Sequence, residues 1–178
     1  MGGSRFLWWL KVHRLRLLER LWFLLLGVVL TWPMILQLDS IAMGSLMADG
    51  LKHLWTLWWI RSSVWDHGIV PFHTELVNFP MGMDLYPIEP LNGLAAVLLP
   101  WVPLIALSNL LILANLTLTG ICGAWFGRLV SGSRVGGFAA GTLLQGSAVM
   151  THFIHIGVGE LHHLWWIPLG LGCLVKAR

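Results

Sequence analysis

Charge is the scarcest property of this chain: Asp, Glu, Lys and Arg together make up 11% of its 178 residues. Soluble domains carry roughly 25%, so the shortfall excludes an ordinary water-solvated globule and points to lipid as the solvent. Cysteine is almost absent. The two present, Cys122 and Cys173, both fall inside apolar runs and say nothing of a disulfide framework and little of the redox compartment. Nucleotide- and hydrolase-type signatures are missing as well. There is no phosphate-binding glycine loop, no HExxH and no nucleophile elbow, so neither a nucleotide-driven pump nor a membrane serine hydrolase is supported. One tyrosine stands against 12 tryptophans, and indole rings favour the membrane–water boundary.

What is present is apolar: 57% hydrophobic residues, with a mean hydropathy of +0.76. The net charge of +3 could suggest a polyanion partner. The basic residues, however, sit in short segments between apolar runs, and membrane orientation explains them without nucleic acid. The basic lead-in Arg5, Lys11, Arg14, Arg16 and Arg20, followed by uncharged Leu21 to Leu38, resembles a secretory signal. The apolar run exceeds a signal-peptide core of roughly 7–15 residues and is long enough to span, so an uncleaved anchor is the better reading.

Uncharged runs of about 20 residues mark membrane spans. On that criterion the chain is an all-α membrane protein of about four transmembrane helices, at about 21–38, 108–130, 135–150 and 164–176. Residues 1–20 form a cytoplasmic basic N-terminus, and residues 21–178 form one polytopic membrane domain. A long first external loop, 39–107, holds two juxtamembrane amphipathic helices, about 49–65 and 91–107. The first is tryptophan-rich, with Leu51, Leu54, Trp55, Trp58, Trp59 and Trp65 among Lys52, His53 and Arg61. Pro100 and Pro103 break the uncharged stretch between Glu89 and Arg128, so its first part is read as re-entrant or juxtamembrane. Four spans place the five N-terminal cations, Arg128, Arg134, Lys176 and Arg178 in the cytosol, leaving only Lys52 and Arg61 outside. Every acidic residue but Glu19 and every histidine but His13 then lies on the external side. Gly123, Gly127, Gly137 and Gly141, in two small-xxx-small pairs, favour close packing of the second and third spans.

Two external constellations carry candidate chemistry. Asp49 stands at the start of the interfacial helix with Lys52 and His53 following. A carboxylate there can act as a general base on an incoming hydroxyl, hold a divalent cation, or simply cap the helix. The second group is His152, His155, Glu160, His162 and His163, between the third and fourth spans. Those imidazoles can contact a lipid phosphate, bind a metal, or only solvate a short loop. No standard zinc spacing appears. The segment Pro71 to Pro90, with Glu75, Asn78, Asp84 and Glu89, reads as an ordered loop fit to wall a site.

The order of several short motifs resembles a family. Asp49-Gly-Leu-x-x-Leu-Trp-x-Leu-Trp-Trp59, Pro71-Phe-His-Thr74, Phe79-Pro-Met-Gly82, Leu91-Asn-Gly-Leu94 and Trp166-Ile-Pro-Leu169 are similar to the bacterial polytopic glycosyltransferases of the GT-C fold. The resemblance covers Asp39 to Leu174. It implies transfer of a sugar from a polyprenyl-phosphate donor to an acceptor on the periplasmic or outer face of the bacterial inner membrane, with Asp49 catalytic. It also implies that Lys52, His53, Arg61, His152, His155, Glu160, His162 and His163 contact substrate or lipid phosphate. A divalent cation, Mg or Mn, would fall to Asp49, His155 and Glu160, although the paired acidic motif usual in the family is absent. Family members are several times longer, so the chain reads as an N-terminal piece, truncated at its C-terminus and inactive alone. The competing expectation is a non-catalytic small polytopic membrane protein, a transporter fragment or an assembly subunit. The spans hold essentially no ionisable residue, which favours interfacial chemistry over translocation.

Overall fold

The structure is a computed structural model that describes the backbone at residues 3–45, 49–84 and 89–177. Side chains are described from residue 14 onward within those ranges, Glu160 excepted. It is mainly helical: α1 Gly3–Leu30, α2 Gly50–Trp65, α3 Pro90–Leu98, α4 Leu104–Ser131, α5 Arg134–Gln145, α6 Ala148–Ile156 and α7 Trp166–Ala177. Short 3-10 turns cover Met34–Gln37 and Gly159–His163. The strands β1 His73–Thr74 and β2 Met83–Asp84 pair antiparallel, with His73 opposite Asp84.

Helix α2 matches its predicted bounds, and α4 contains the predicted second span. At 28 residues α4 is about 42 Å long. Among the described residues it alone is long and apolar enough to cross a bilayer. The other three predicted spans take different shapes. Helix α1 runs through the basic lead-in and stops at Leu30, three residues before Pro33, so that its longest uncharged run is its last ten residues. The Thr31 hydroxyl bonds back to the Gly27 carbonyl at 2.9 Å, and the chain turns into the 3-10 segment instead of continuing to Leu38. The predicted third span breaks at Gly146, whose N–H closes α5 on the Thr142 carbonyl; α6 then carries helix into the stretch expected to be a polar loop. Helices α5 and α7 have 12 residues each, about 18 Å against a hydrocarbon core of about 30 Å. The predicted juxtamembrane helix 91–107 is also divided. Pro103 lacks an amide hydrogen and disfavours helix at Val102, so α3 ends at Leu98 and Leu104–Leu107 open α4.

The chain forms two compact units. One comprises residues 33–112 and 152–162. Its apolar centre is Leu57 of α2, Ala96 of α3 and Leu107 of α4, with Val102, Leu104 and Leu111 against them. Helices α2 and α3 approach closely because Gly93 has no side chain; a Cβ there would lie 2.7 Å from Ile60 Cδ1. The Arg61 guanidinium donates to the Val102 carbonyl at 2.8 Å, and the Trp65 indole donates to Val97 at 2.8 Å. Asn109, fully buried, gathers the preceding loop. Its amide donates to the Leu38 and Ile41 carbonyls at 2.8 Å each, and its oxygen accepts from Met43 N–H at 3.0 Å.

The other unit comprises residues 1–32, 113–151 and 163–178. The two glycine pairs singled out in the sequence do pack here: a Cβ on Gly127 would lie 2.6 Å from Ala140 Cβ, and one on Gly141 would lie 2.8 Å from Phe23 Cζ. This unit buries Phe23, Leu116, Ala124 and Met150 together with several polar groups. Thr31, Asn115, Thr119 and Gln145 are buried, whereas Leu25, Val29, Val135, Leu143 and Leu174 are each more than 60% exposed. The buried polar groups bond internally, with the Gln145 amide donating to the Phe23 carbonyl at 2.8 Å and the Trp165 indole to Asn115 at 2.9 Å.

Candidate functional site

A histidine on α2 cannot stay charged in an apolar interior unless an acid meets it. His53 is 6% exposed, and its Nδ1 contacts the carboxylate of Glu89, itself 4% exposed at the residue before α3. Asn92, one turn into α3, donates its amide to the other Glu89 oxygen. His162, from the Gly159–His163 turn, is 3% exposed; its Nε2 lies 3.3 Å from the Phe153 carbonyl, and its charge acts on Glu89. Burial pushes the Glu89 carboxyl toward its neutral form. The hydrogen bond and charge of His53, then Asn92 and His162, outweigh that and hold it below the ordinary carboxylate range. The result is a buried histidine–carboxylate pair with the Asn92 amide completing it.

Glycine makes this arrangement possible. A Cβ on Gly159 would lie 2.7 Å from both Glu89 Cδ and His53 Nδ1, so no other residue leaves the pair intact. Nearby, Gly44 (φ +123°) and Gly157 (φ +79°) adopt conformations that disfavour side chains, and a Cβ on Gly157 would lie 2.9 Å from Gly50 Cα. Ser45 N–H also bonds to the Ile156 carbonyl at 3.4 Å. The start of α2 is therefore clamped from two directions. Between these groups is a crevice of about 20 Å³, room for one water and no substrate. Chemistry on a larger molecule must take place at its rim.

Asp49 directly precedes Gly50, one of the residues that line this crevice. It precedes α2 as the N-cap residue, yet its side chain makes no capping hydrogen bond. Instead it pairs with Lys52 at 3.0 Å, the two side chains being 47% and 41% exposed. This is a carboxylate open to solvent on a helix start fixed from behind by His53. The structure thus brings His53 and His162 together and leaves Asp49 and Lys52 beside them. The other predicted residues are dispersed. Arg61 is engaged by the Val102 carbonyl. His152 and His155 share the exposed face of α6, His155 bordering a cavity of about 250 Å³ with Pro33, Met34, Gln37 and Ile41. His163 is half-buried, and the Glu160 side chain lies outside the described residues. Among the described residues no group of three His, Cys, Asp or Glu side chains converges as a metal site would require.

Glu89, Asn92 and Gly159 were not singled out as site residues from the sequence. The usable signal was position: Glu89 is the last charge before the uncharged run to Arg128, and an acid at such an edge needs a partner. Its partner, His53, lies 36 positions earlier, beyond any local periodicity. No family model matches the chain, and no curated protein or solved structure does so either.

Proposed function

We propose that the chain belongs to an integral membrane glycosyltransferase, in which Asp49 receives the proton of an acceptor hydroxyl at the membrane surface. The observation that carries this reading is the state of Asp49: a half-exposed carboxylate, unused as a cap, on a helix start made rigid by the buried His53–Glu89 pair. Rigid placement of a base is what an inverting displacement needs. The acceptor oxygen loses its proton to Asp49 and bonds to the anomeric carbon. The bond from that carbon to the polyprenyl phosphate breaks, and the phosphate leaves with the electron pair. Lys52, beside Asp49 and 41% exposed, offsets the charge gathering on the phosphate. His152 and His155, exposed on α6, are the further polar contacts in this reading.

Membrane residence is supported by the exposed apolar side chains of the unit containing α1, α5 and α7, and by the polar groups it buries. Amides and hydroxyls bond inside it while leucines and valines face out, the distribution expected when lipid is the solvent. In this reading α4 spans, and α1, α5 and α7 complete a four-span arrangement with the basic N-terminus in the cytosol of the bacterial inner membrane. The short helices α5 and α7 cross with help from flanking turns and local bilayer thinning. Photo-crosslinking with a diazirine-bearing polyprenyl phosphate in native membranes tests the site. Adducts are expected on residues 49–53 and on α6. Adducts spread evenly along the apolar helices would overturn the assignment.

A further inference from the structure

A cavity of about 690 Å³ in the unit containing α1, α5 and α7 takes no part in the chemistry above. It combines two linings. The floor is apolar: Phe23, Ile121, Cys122, Trp125 and Leu169. The rim carries Arg16 and Arg20 of α1, Arg128 of α4 and Arg134 of α5, with Glu19 as its one acid. Glu19 is already neutralised. Arg128 Nη1 lies 2.6 Å and 2.7 Å from its two oxygens. Arg16, Arg20 and Arg134 are exposed and have no carboxylate partner among the described residues.

We infer that this cavity seats an anionic amphiphile, its phosphate held by Arg16, Arg20 and Arg134 and its acyl chain lying on Phe23, Ile121 and Trp125. Arg16, Arg20 and Arg134, without a carboxylate partner among the described residues, line this one cavity, and planar guanidinium forks match phosphate oxygens. The cavity is far larger than free phosphate requires, and its apolar floor gives an acyl chain a surface to cover. The phosphate chemistry is common to a phospholipid headgroup and to the free ion; the apolar floor favours the phospholipid. A basic pocket against membrane helices is the arrangement in which anionic headgroups are recognised. The Glu19–Arg128 pair shapes one wall and keeps Arg128 from competing for the ligand. The inference is independent of sugar transfer and stands or falls separately from Asp49.

The test uses the full chain in neutral detergent and brominated lipids as contact quenchers. The readout is the part of the tryptophan quenching that disappears in Trp125→Phe. Brominated phosphatidylglycerol is expected to quench Trp125 saturably, and brominated phosphatidylcholine only weakly. The combined variant Arg16→Gln/Arg20→Gln/Arg134→Gln is expected to shift the midpoint by roughly 100-fold, about fivefold per guanidinium. The matching Arg→Lys variant restores most of the affinity, which separates lost charge from lost fold. Equal quenching by the two lipids, or an unchanged midpoint in the glutamine variant, overturns the inference. Inorganic phosphate should fail to displace the lipid at millimolar concentration. Displacement below that range overturns the lipid assignment and leaves a site for the free ion.

Discussion

Replacing Glu89 with alanine removes the acceptor on which two buried side chains, His53 and Asn92, converge. The carboxylate side chain is 5% exposed and its imidazole partner 8%, so water cannot take its place. Breaking a buried ion pair from one side costs about 3–5 kcal/mol, chiefly because the remaining charge is left in a poor solvent. Glu89→Gln keeps the shape and one acceptor oxygen and loses the charge. Its cost is that of a charge-assisted hydrogen bond, about 1.5–3 kcal/mol. The order alanine, then glutamine, then wild type is therefore required. Unfolding in mixed micelles with increasing dodecyl sulfate, followed by tryptophan fluorescence, measures it. The stacked rings of Trp55 and Trp59, 6.3 Å apart on α2, lie on the same helix as His53 and report its loss. A cycle with His53→Ala should return a coupling of about 2 kcal/mol or more. If Glu89→Ala unfolds within about 1 kcal/mol of wild type, or couples to His53 no more than a distant pair would, the clamp on α2 does not exist.

Three other outcomes follow from the same geometry. Because the Glu89 carboxyl is held below its ordinary value when folded, its contribution to stability is complete above the ordinary carboxylate range. That contribution fades as pH falls through the lowered folded-state value; an acid titration in which Glu89→Gln keeps the same step as wild type contradicts this. Gly141→Ala should destabilise by about 1–3 kcal/mol, since the new methyl meets Phe23 and Ala124, whereas Gly170→Ala, with nothing within 4 Å, should gain about 0.5–1 kcal/mol from helix propensity. Equal effects at the two positions in the same micelle assay would remove the close-packing account. Asp49→Asn should change stability by less than about 1 kcal/mol, because a half-exposed ion pair contributes little; a large loss would make Asp49 a structural residue.

Some of this architecture was legible in the residues, and the limits have physical causes. The bounds of α2 could be read because tryptophans and leucines alternate with polar residues at helical spacing between Asp49 and Asp66. Helix α4 could be read because no charge interrupts it before Arg128. Span length was misjudged wherever composition stayed apolar across a break. Thr31-Trp32-Pro33 ends α1, and Gly146-Ser147 ends α5, yet neither interrupts the apolar run in which it sits. The site was half visible. Asp49, His53 and His162 are the residue types that chemistry would select. What assigns each its role is tertiary: His53 and His162 turn inward to Glu89, while Asp49 and Lys52 pair with each other in a half-exposed position. That partition depends on Gly159 and on a partner 36 positions away, and neither has a local signature.

The reading of Asp49 as the base meets its most direct test in lipid extracts from cells carrying the gene at its native locus. Mass spectrometry of polyprenyl-monophosphate-linked hexoses and pentoses, in wild type and in Asp49→Asn, detects the donor whichever of these sugars it carries. The account requires one such donor to accumulate severalfold in the variant while the protein remains in the membrane at its normal level. Unchanged donor pools with the variant protein present would contradict it.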